Sequence, residues 1–395
     1  MTDPLILGQL SGLHGRLRDL ATGVPATEAN LRFHPELASL AWYLGRSVYR
    51  ETYWLREVVA GDADLTQRVR EVFVPGALGL DTQCRRLPPI DHLLSWAREI
   101  QDEHLRRLAT PGALPAHPLM REDRLPWLLL QEGARDYERM LAVRLARALN
   151  RAYAGYRVRE RLRSRTPVPA FAEVTQGHYR IGSRHQPFAY DNELPPQAVE
   201  LSSYRIAKRP VTNAGYLAFL EAGGYERGDL WSEEGRAWLT ASRAAAPWQW
   251  RQDPDGSWYE VGLNGPVDLA PEEPVAGINR HEGVAFAAWA SGLGGDLGGA
   301  VLQHEYQWEV AARGGLIDGF GRVWEWCANS LHPYPKFAPF PDGSVSQVFF
   351  GGDYFSLRGA CIHTQGCLRR ASLRNWAPPH ARHLFAGIRL VFPPA

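Results

Sequence analysis

The sequence predicts an α+β protein in two parts, a four-helix bundle followed by a compact mixed domain of short strands, loops and a few helices. Three observations carry this. The chain has 395 residues, beyond the size at which one hydrophobic core usually stops growing. From about residue 5 to residue 162, apolar residues recur at spacings of three and four, the period of an amphipathic helix. After residue 165 that period stops, and Gly, Pro and Trp become frequent in short runs.

In the first part, Leu37, Leu40, Ala41, Leu44 and Val48 form one helical stripe, and Leu128, Leu129, Ala134, Tyr137, Met140, Leu141 and Val143 form another. Proline and polar clusters at 23–27, 75–80 and 114–118 separate roughly four long helices, the pattern of an antiparallel bundle. Residues 157–165 read as the basic end of the last helix. Thr166-Pro-Val-Pro-Ala170 then breaks the period and sets the domain boundary, giving domains 1–165 and 166–395. In the second domain two helices are predicted, 213–222 and 281–291, among short strands and loops that can carry binding groups.

Composition narrows the function classes. Hydrophobic residues make up 45% and charged residues 22%, with 14 Trp, 15 Tyr and 14 Phe, so large cores are expected and disorder is not. The formal net charge is only +1, with Arg spread along the chain, which excludes a nucleic-acid footprint. No window approaches eighteen uninterrupted apolar residues and the start carries no basic-then-apolar leader, so neither a membrane partner nor export is expected and the predicted location is cytoplasmic. Cys84, Cys327, Cys361 and Cys367 form no C-x-x-C pair and are expected as reduced thiols.

The second part carries a distinctive series of motifs. Gly182-Ser183, Phe188-Ala-Tyr-Asp-Asn-Glu193, Arg209-Pro-Val-Thr-Asn213, Gly223-Gly-Tyr225, Leu230-Trp-Ser232, Val323-Trp-Glu-Trp326, Leu357-Arg-Gly359, Leu373-Arg-Asn-Trp376 and Phe385-Ala-Gly-Ile-Arg389 follow one another in order. In this it resembles the ergothioneine-type sulfoxide synthases and the related selenoneine synthases. The resemblance implies a formylglycine-generating-enzyme-like domain, a variant of the C-type-lectin fold. In the first part, Trp42-Tyr-Leu-Gly45, Glu51-Thr-Tyr-Trp54, Arg86-Leu-Pro88 and the stretch from Leu130-Gln131 to Tyr137-Glu138 resemble the DinB-like helical bundle of the same enzymes.

In that family, the resemblance implies, one Fe(II) is held by three His, one on the second helix and two spaced four apart on the fourth. Here Arg46, Glu132 and Asp136 stand at those positions, and no His occurs between His117 and His178. Arg has no lone pair to offer and stays charged. The expectation is therefore an Arg46 ion-pair network with Glu132 and Asp136, and neither metal nor other cofactor at this site. Arg135 replaces a Gln that the resemblance places beside a trimethylammonium substrate, and Ala377 replaces an Asp after Trp376, so both changes argue against hercynine as ligand. Arg322 stands where the family has Asn or Asp near a calcium, which argues against calcium as well.

Other residues have two readings at this stage. His281-Glu282 opens a helix and reads as having a capping or surface role, since no second His stands four residues on. Arg374, Asn375 and Trp376 are pocket-wall residues by resemblance, and packed core by chemistry alone. His380 and His383, with Arg382, either line the pocket or are solvated loop. Cys361 and Cys367 follow the Arg-Gly landmark but not at the spacing of the copper-binding pair of true formylglycine-generating enzymes, which argues against formylglycine formation.

The reading is a degenerate synthase-like protein with an interdomain pocket, formed by Arg46, Glu132, Arg135, Asp136, Tyr137, Glu138, Arg374, Asn375, Trp376, His380 and His383, for a small polar or zwitterionic, amino-acid-derived metabolite. An active enzyme is its expected protein partner. Two alternatives stay open. One is an active C–S or C–Se bond-forming synthase or other transferase, with a divalent metal on Glu132, Asp136 and Glu138 or with none. The other is a lectin-fold protein that displays varied loops to a ligand.

Overall fold

The computed structural model describes residues 1–168, 170–184 and 187–394, so Pro169 of the boundary motif lies outside the described residues. Met1–Arg151, with two short later segments, form one compact unit, and the rest of the chain from Ala152 forms a second. The segment 152–165, expected with the helices, clusters with the second unit.

The first unit is helical. Its helices are α1 (Pro4–Thr22), α2 (Leu40–Thr52), α3 (Asp64–Phe73), α4 (Leu80–Arg85), α5 (Ile90–Ala109) and α6 (Arg124–Leu149). The four long helices expected are α1, α2, α5 and α6; two short ones are added between α2 and α5. Local chemistry starts them. Asp3 caps α1 by accepting from the Leu5 N–H with Pro4 in the first turn, and Ser39 caps α2 by accepting from the Trp42 N–H. Helix α2 runs directly into a π-helix, Tyr53–Val59. The predicted stripes are buried: Leu40, Ala41, Leu44 and Val48 on α2, and Leu128, Leu129, Ala134, Met140, Leu141 and Val143 on α6. Each large apolar side chain taken out of water contributes about 1.5–3 kcal/mol before entropy is counted. Gly45 lets α2 approach closely, since a Cβ there would fall 2.4 Å from the Phe73 ring.

Helix α6 ends at Leu149, so residues 157–165 are not its basic end; they lie outside any helix or strand. The cause is a distant anchor. Asp268 accepts from the Tyr156 hydroxyl at 2.7 Å and from the Arg159 and Glu160 N–H groups at 3.0 and 2.9 Å, while Asp253 accepts from the Val158 N–H at 3.0 Å. These bonds satisfy the backbone without helical geometry.

In the second unit the strands are β1 (Phe171–Val174), β2 (Gly177–Ile181), β3 (Gln197–Leu201), β4 (Tyr204–Ala207), β5 (Trp250–Gln252), β6 (Trp258–Gly262), β7 (Gly265–Asp268), β8 (Val301–Leu302), β9 (Trp324–Ser330), β10 (Phe355–Arg358), β11 (Asn375–Ala377), β12 (Ala386–Gly387) and β13 (Leu390–Phe392). They form sheets of order β1-β4-β13-β8 and β11-β10-β9-β12, a β2-β3 hairpin and a β5-β6-β7 meander. The helices are α7 (Asn213–Glu221), α8 (Glu233–Ser242), α9 (Arg280–Gly292) and α10 (Glu305–Arg313). Two helices were predicted, near α7 and α9, with a helix start read at 302–308, where α10 begins; α8 is additional. Glu282 is a capping residue as expected: its N–H donates to Asn279 Oδ1 at 2.9 Å, and its carboxylate accepts from the Asn279 N–H at 2.8 Å.

The interior of this unit is built partly from ion pairs. Arg374 donates to both oxygens of Glu305 at 2.8 Å, and Arg358 pairs with Glu309. Arg389 donates to both oxygens of Glu325 at 2.8 Å. All six side chains are almost wholly buried, which is tolerable because each charge has a partner and directed hydrogen bonds.

Candidate functional site

Helix geometry gathers the charges of the first unit. At about 100° per residue, Glu132, Arg135, Asp136 and Arg139 share one face of α6, and Arg46 and Arg50, four apart, share one face of α2. Asp136 is fully buried. Its partners are Arg50, whose Nη1 lies 2.8 Å from Oδ2, and Arg139, whose Nη1 donates to Oδ1 at 2.9 Å. Glu132 lies 3.8 Å from Arg50 and 3.6 Å from Arg135.

This corrects the expected network. Arg46 is not the partner of the two acids. Its Nη1 donates to the Phe73 carbonyl at 3.3 Å and its guanidinium sits 5.2 Å from the Trp42 ring centroid. Arg50, one turn further along α2, takes the role. Sequence reasoning missed Arg50 and Arg139, although each carries a helical signal: Arg50 is four from Arg46 and Arg139 is three from Asp136. Tyr137 and Glu138 are half-buried. Glu138 points about 120° away from Glu132 around the helix, so the three-carboxylate metal face considered as an alternative is not formed by Glu132, Asp136 and Glu138.

The electrostatics follow from the count, four guanidiniums against two carboxylates on these faces. Arg46 is pushed down to about 10 by burial and then by the charge of Arg50. For Arg50 burial works in the same direction, but Asp136 and Glu132 outweigh it and hold the proton more firmly. Arg46 offers a metal no lone pair, and the two carboxylates are already engaged by guanidiniums, so this set as arranged does not fit a ferrous ion.

A second polar cluster in the same unit had no sequence signal beyond polar residues at core positions. The Glu51 carboxylate lies between two imidazoles, 2.7 Å from His14 Nε2 and 3.3 Å from His104 Nδ1, with all three side chains buried. Burial raises Glu51, but the two imidazoles more than offset this and hold it down to about 2.

The candidates in the second unit separate. Arg374 is interior, 1% exposed and bound to Glu305, the Asn192 carbonyl and the His332 carbonyl; its core reading is the one realised. Asn375 and Trp376 sit half-buried on β11, with Trp376 packed on Phe349 at 5.2 Å between ring centroids. His380 is exposed and His383 half-buried. Arg382 is drawn inward to Glu282 at 2.8 Å, next to a buried Tyr216–Tyr225–Glu282 hydrogen-bonded chain. Arg322 pairs with Glu273, so a guanidinium faces the carboxylate there. Cys84, Cys327, Cys361 and Cys367 are free thiols. Among the described residues no helix is long and apolar enough to cross a membrane.

Known proteins are similar in sequence to parts of this chain. Residues 159–319 and 314–393 match the sulfatase-modifying factor enzyme 1-like domain. The chain is 31% identical over 258 residues to the hercynine oxygenase of Mycobacterium tuberculosis, covering 54% of this chain and 58% of that protein. It is 32% identical over 255 residues to the hercynine oxygenase of Mycolicibacterium thermoresistibile, covering 52% and 54%. The formylglycine-generating enzyme of Thermomonospora curvata is 33% identical over 156 residues, 36% of this chain and 48% of that one. The chain thus spans less than two thirds of the length of each of these three relatives. The expected likeness to ergothioneine-type enzymes with a formylglycine-generating-enzyme-like domain is borne out by these relatives. A domain matched from residue 159 to residue 393, more than half of the whole, settles membership: the chain belongs to the sulfatase-modifying factor enzyme 1-like family.

Proposed function

We propose that this protein is a member of the hercynine oxygenase-like branch that binds a small anionic, amino-acid-derived metabolite on the α2–α6 face and does not perform iron-dependent oxidative C–S or C–Se bond formation. The observation that carries the reading is Arg46. It is a cation set into the bundle beside a second cation, and among the described residues it has no carboxylate within ion-pair distance. A ligand carboxylate would supply the missing anion, and the same guanidinium disfavours both a ferrous ion and a quaternary ammonium. Arg50, Arg139 and Arg135 hold Asp136 and Glu132 in place, so the acids orient the cations and do not serve as metal ligands.

The competing reading, an active synthase with ligands elsewhere, draws support from the 31% identity to a hercynine oxygenase. Metal analysis separates the two. Protein expressed with added Fe(II) should carry only trace iron, while a variant with Arg46→His, Glu132→His and Asp136→His, together with Arg50→Gln, should gain it. Near-stoichiometric iron in the unmodified protein would overturn the proposal.

A further inference from the structure

Five arginines, Arg157, Arg159, Arg161, Arg163 and Arg165, occupy every second position of one segment, and Glu160 is the only acid among them. All five are exposed. Of the four intervening positions, Leu162 is 4% exposed and Val158 is half-buried, while Glu160 and Ser164 are exposed. The segment is therefore a strap anchored at Val158 and Leu162 with its arginines exposed, although it belongs to no sheet. The chain bends at Arg159 and Glu160, where both N–H groups converge on Asp268. Beyond the bend the Arg165 N–H donates to the Ala214 carbonyl at 3.0 Å.

The guanidiniums at the two ends have local work. Arg157 donates to the Ala154 and Tyr156 carbonyls at 3.1 and 3.0 Å, and Arg165 pairs with Glu272 at 2.6 Å. Among the described residues, Arg159, Arg161 and Arg163 have neither a side-chain hydrogen bond nor an ion pair. A chain with a net charge of only +1 thus concentrates unpaired positive charge on a segment whose backbone is already fixed by Asp268 and Asp253.

We propose that the strap 157–165 is a docking surface for an extended acidic segment of a partner protein, whose alternate carboxylates meet its alternate arginines. Alternate Cα atoms of a chain lie at most about 7 Å apart, and an extended peptide presents alternate side chains on one face at nearly the same interval. Opposed charges at matched spacing are the favourable cross-strand arrangement, and each guanidinium can hold a carboxylate through two parallel hydrogen bonds. Because the strap is preformed, less ordering entropy opposes docking. A single-stranded nucleic acid would call for aromatic rings between the cations to stack its bases, and positions 158, 160, 162 and 164 are Val, Glu, Leu and Ser. A lipid surface would call for apolar side chains beside the arginines, yet Leu162 is turned inward.

The test uses the full chain with four fluorescent probes at low salt: a peptide of alternating Glu and Ser, a peptide of the same residues in two blocks, an oligothymidylate, and phosphatidylserine vesicles. The alternating peptide should bind best, and Arg161→Gln with Arg163→Gln should weaken it about tenfold without moving the thermal midpoint. Equal binding of the two peptides, an unaffected double variant, or tighter binding of the oligothymidylate or the vesicles would each overturn the proposal.

Discussion

Asp136 shows how one side chain sets the terms for its neighbours. It is fully buried and ionic partners reach it from two helices, so removing one should leave a poorly compensated charge. Arg50→Ala is expected to cost about 2–4 kcal/mol in urea denaturation, less than complete loss of a buried pair because Arg139 remains. Arg46→Ala should cost less than Arg50→Ala, since it strands no acid. Glu305 gives a second prediction, in pH. Burial raises its carboxyl, but Arg374 and then Arg358 outweigh this and hold it down to about 2, against an ordinary 4.5. A folded value below the unfolded one means stability that is present above about pH 4.5 and lost as pH falls toward 2. Wild type should lose stability over that window, and its advantage over Glu305→Gln should shrink with it. At this scale the sequence placed the right charges on the right faces but chose the wrong arginine. Arg46 and Arg50 are one helical turn apart, and the choice between them is made by Trp42 and the Phe73 carbonyl, which come together only after packing.

Elements were legible where their causes are local. The α2 and α6 stripes, the Asn279–Glu282 cap and the strand-rich grammar of the second half could be read from neighbouring residues. Helix α8 was readable and overlooked: Ser232 caps it by accepting from the Gly235 N–H, and Glu233 and Glu234 follow in the first turn. Residues 157–165 were not readable, because what keeps them out of a helix is a carboxylate 112 residues beyond Tyr156. Close approach between elements is also invisible to periodicity. Gly45→Ala would put a methyl 2.4 Å from the buried Phe73 ring, and the strain of overpacking α2 against α3 should cost about 1–3 kcal/mol, read as a lower urea midpoint with an unchanged slope.

For the whole molecule, the chain clusters into two compact units, Met1–Arg151 with two short later segments, and the rest of the chain from Ala152. The thiols offer a check on the molecule as a whole. Cys84, Cys327 and Cys361 are buried and Cys367 is half-buried, and burial raises the Cys327 thiol well above its ordinary range. In native protein an aromatic disulfide reagent should find at most the thiol of Cys367 promptly, and all four in denaturant; fast reaction of a second thiol in the native state would contradict the buried placement.

Strand β13 pairs with β4 on one side and β8 on the other, so the latest strand among the described residues lies inside its sheet and not at the edge. Seen in the order of synthesis, the first unit has most of its chain in hand as soon as Arg151 emerges, whereas the second unit waits for Leu390–Phe392 before β4 and β8 can be joined. The nascent second half therefore spends most of its production time with strand edges open. A stop codon placed just before Leu390 would remove the middle of a sheet from the fold.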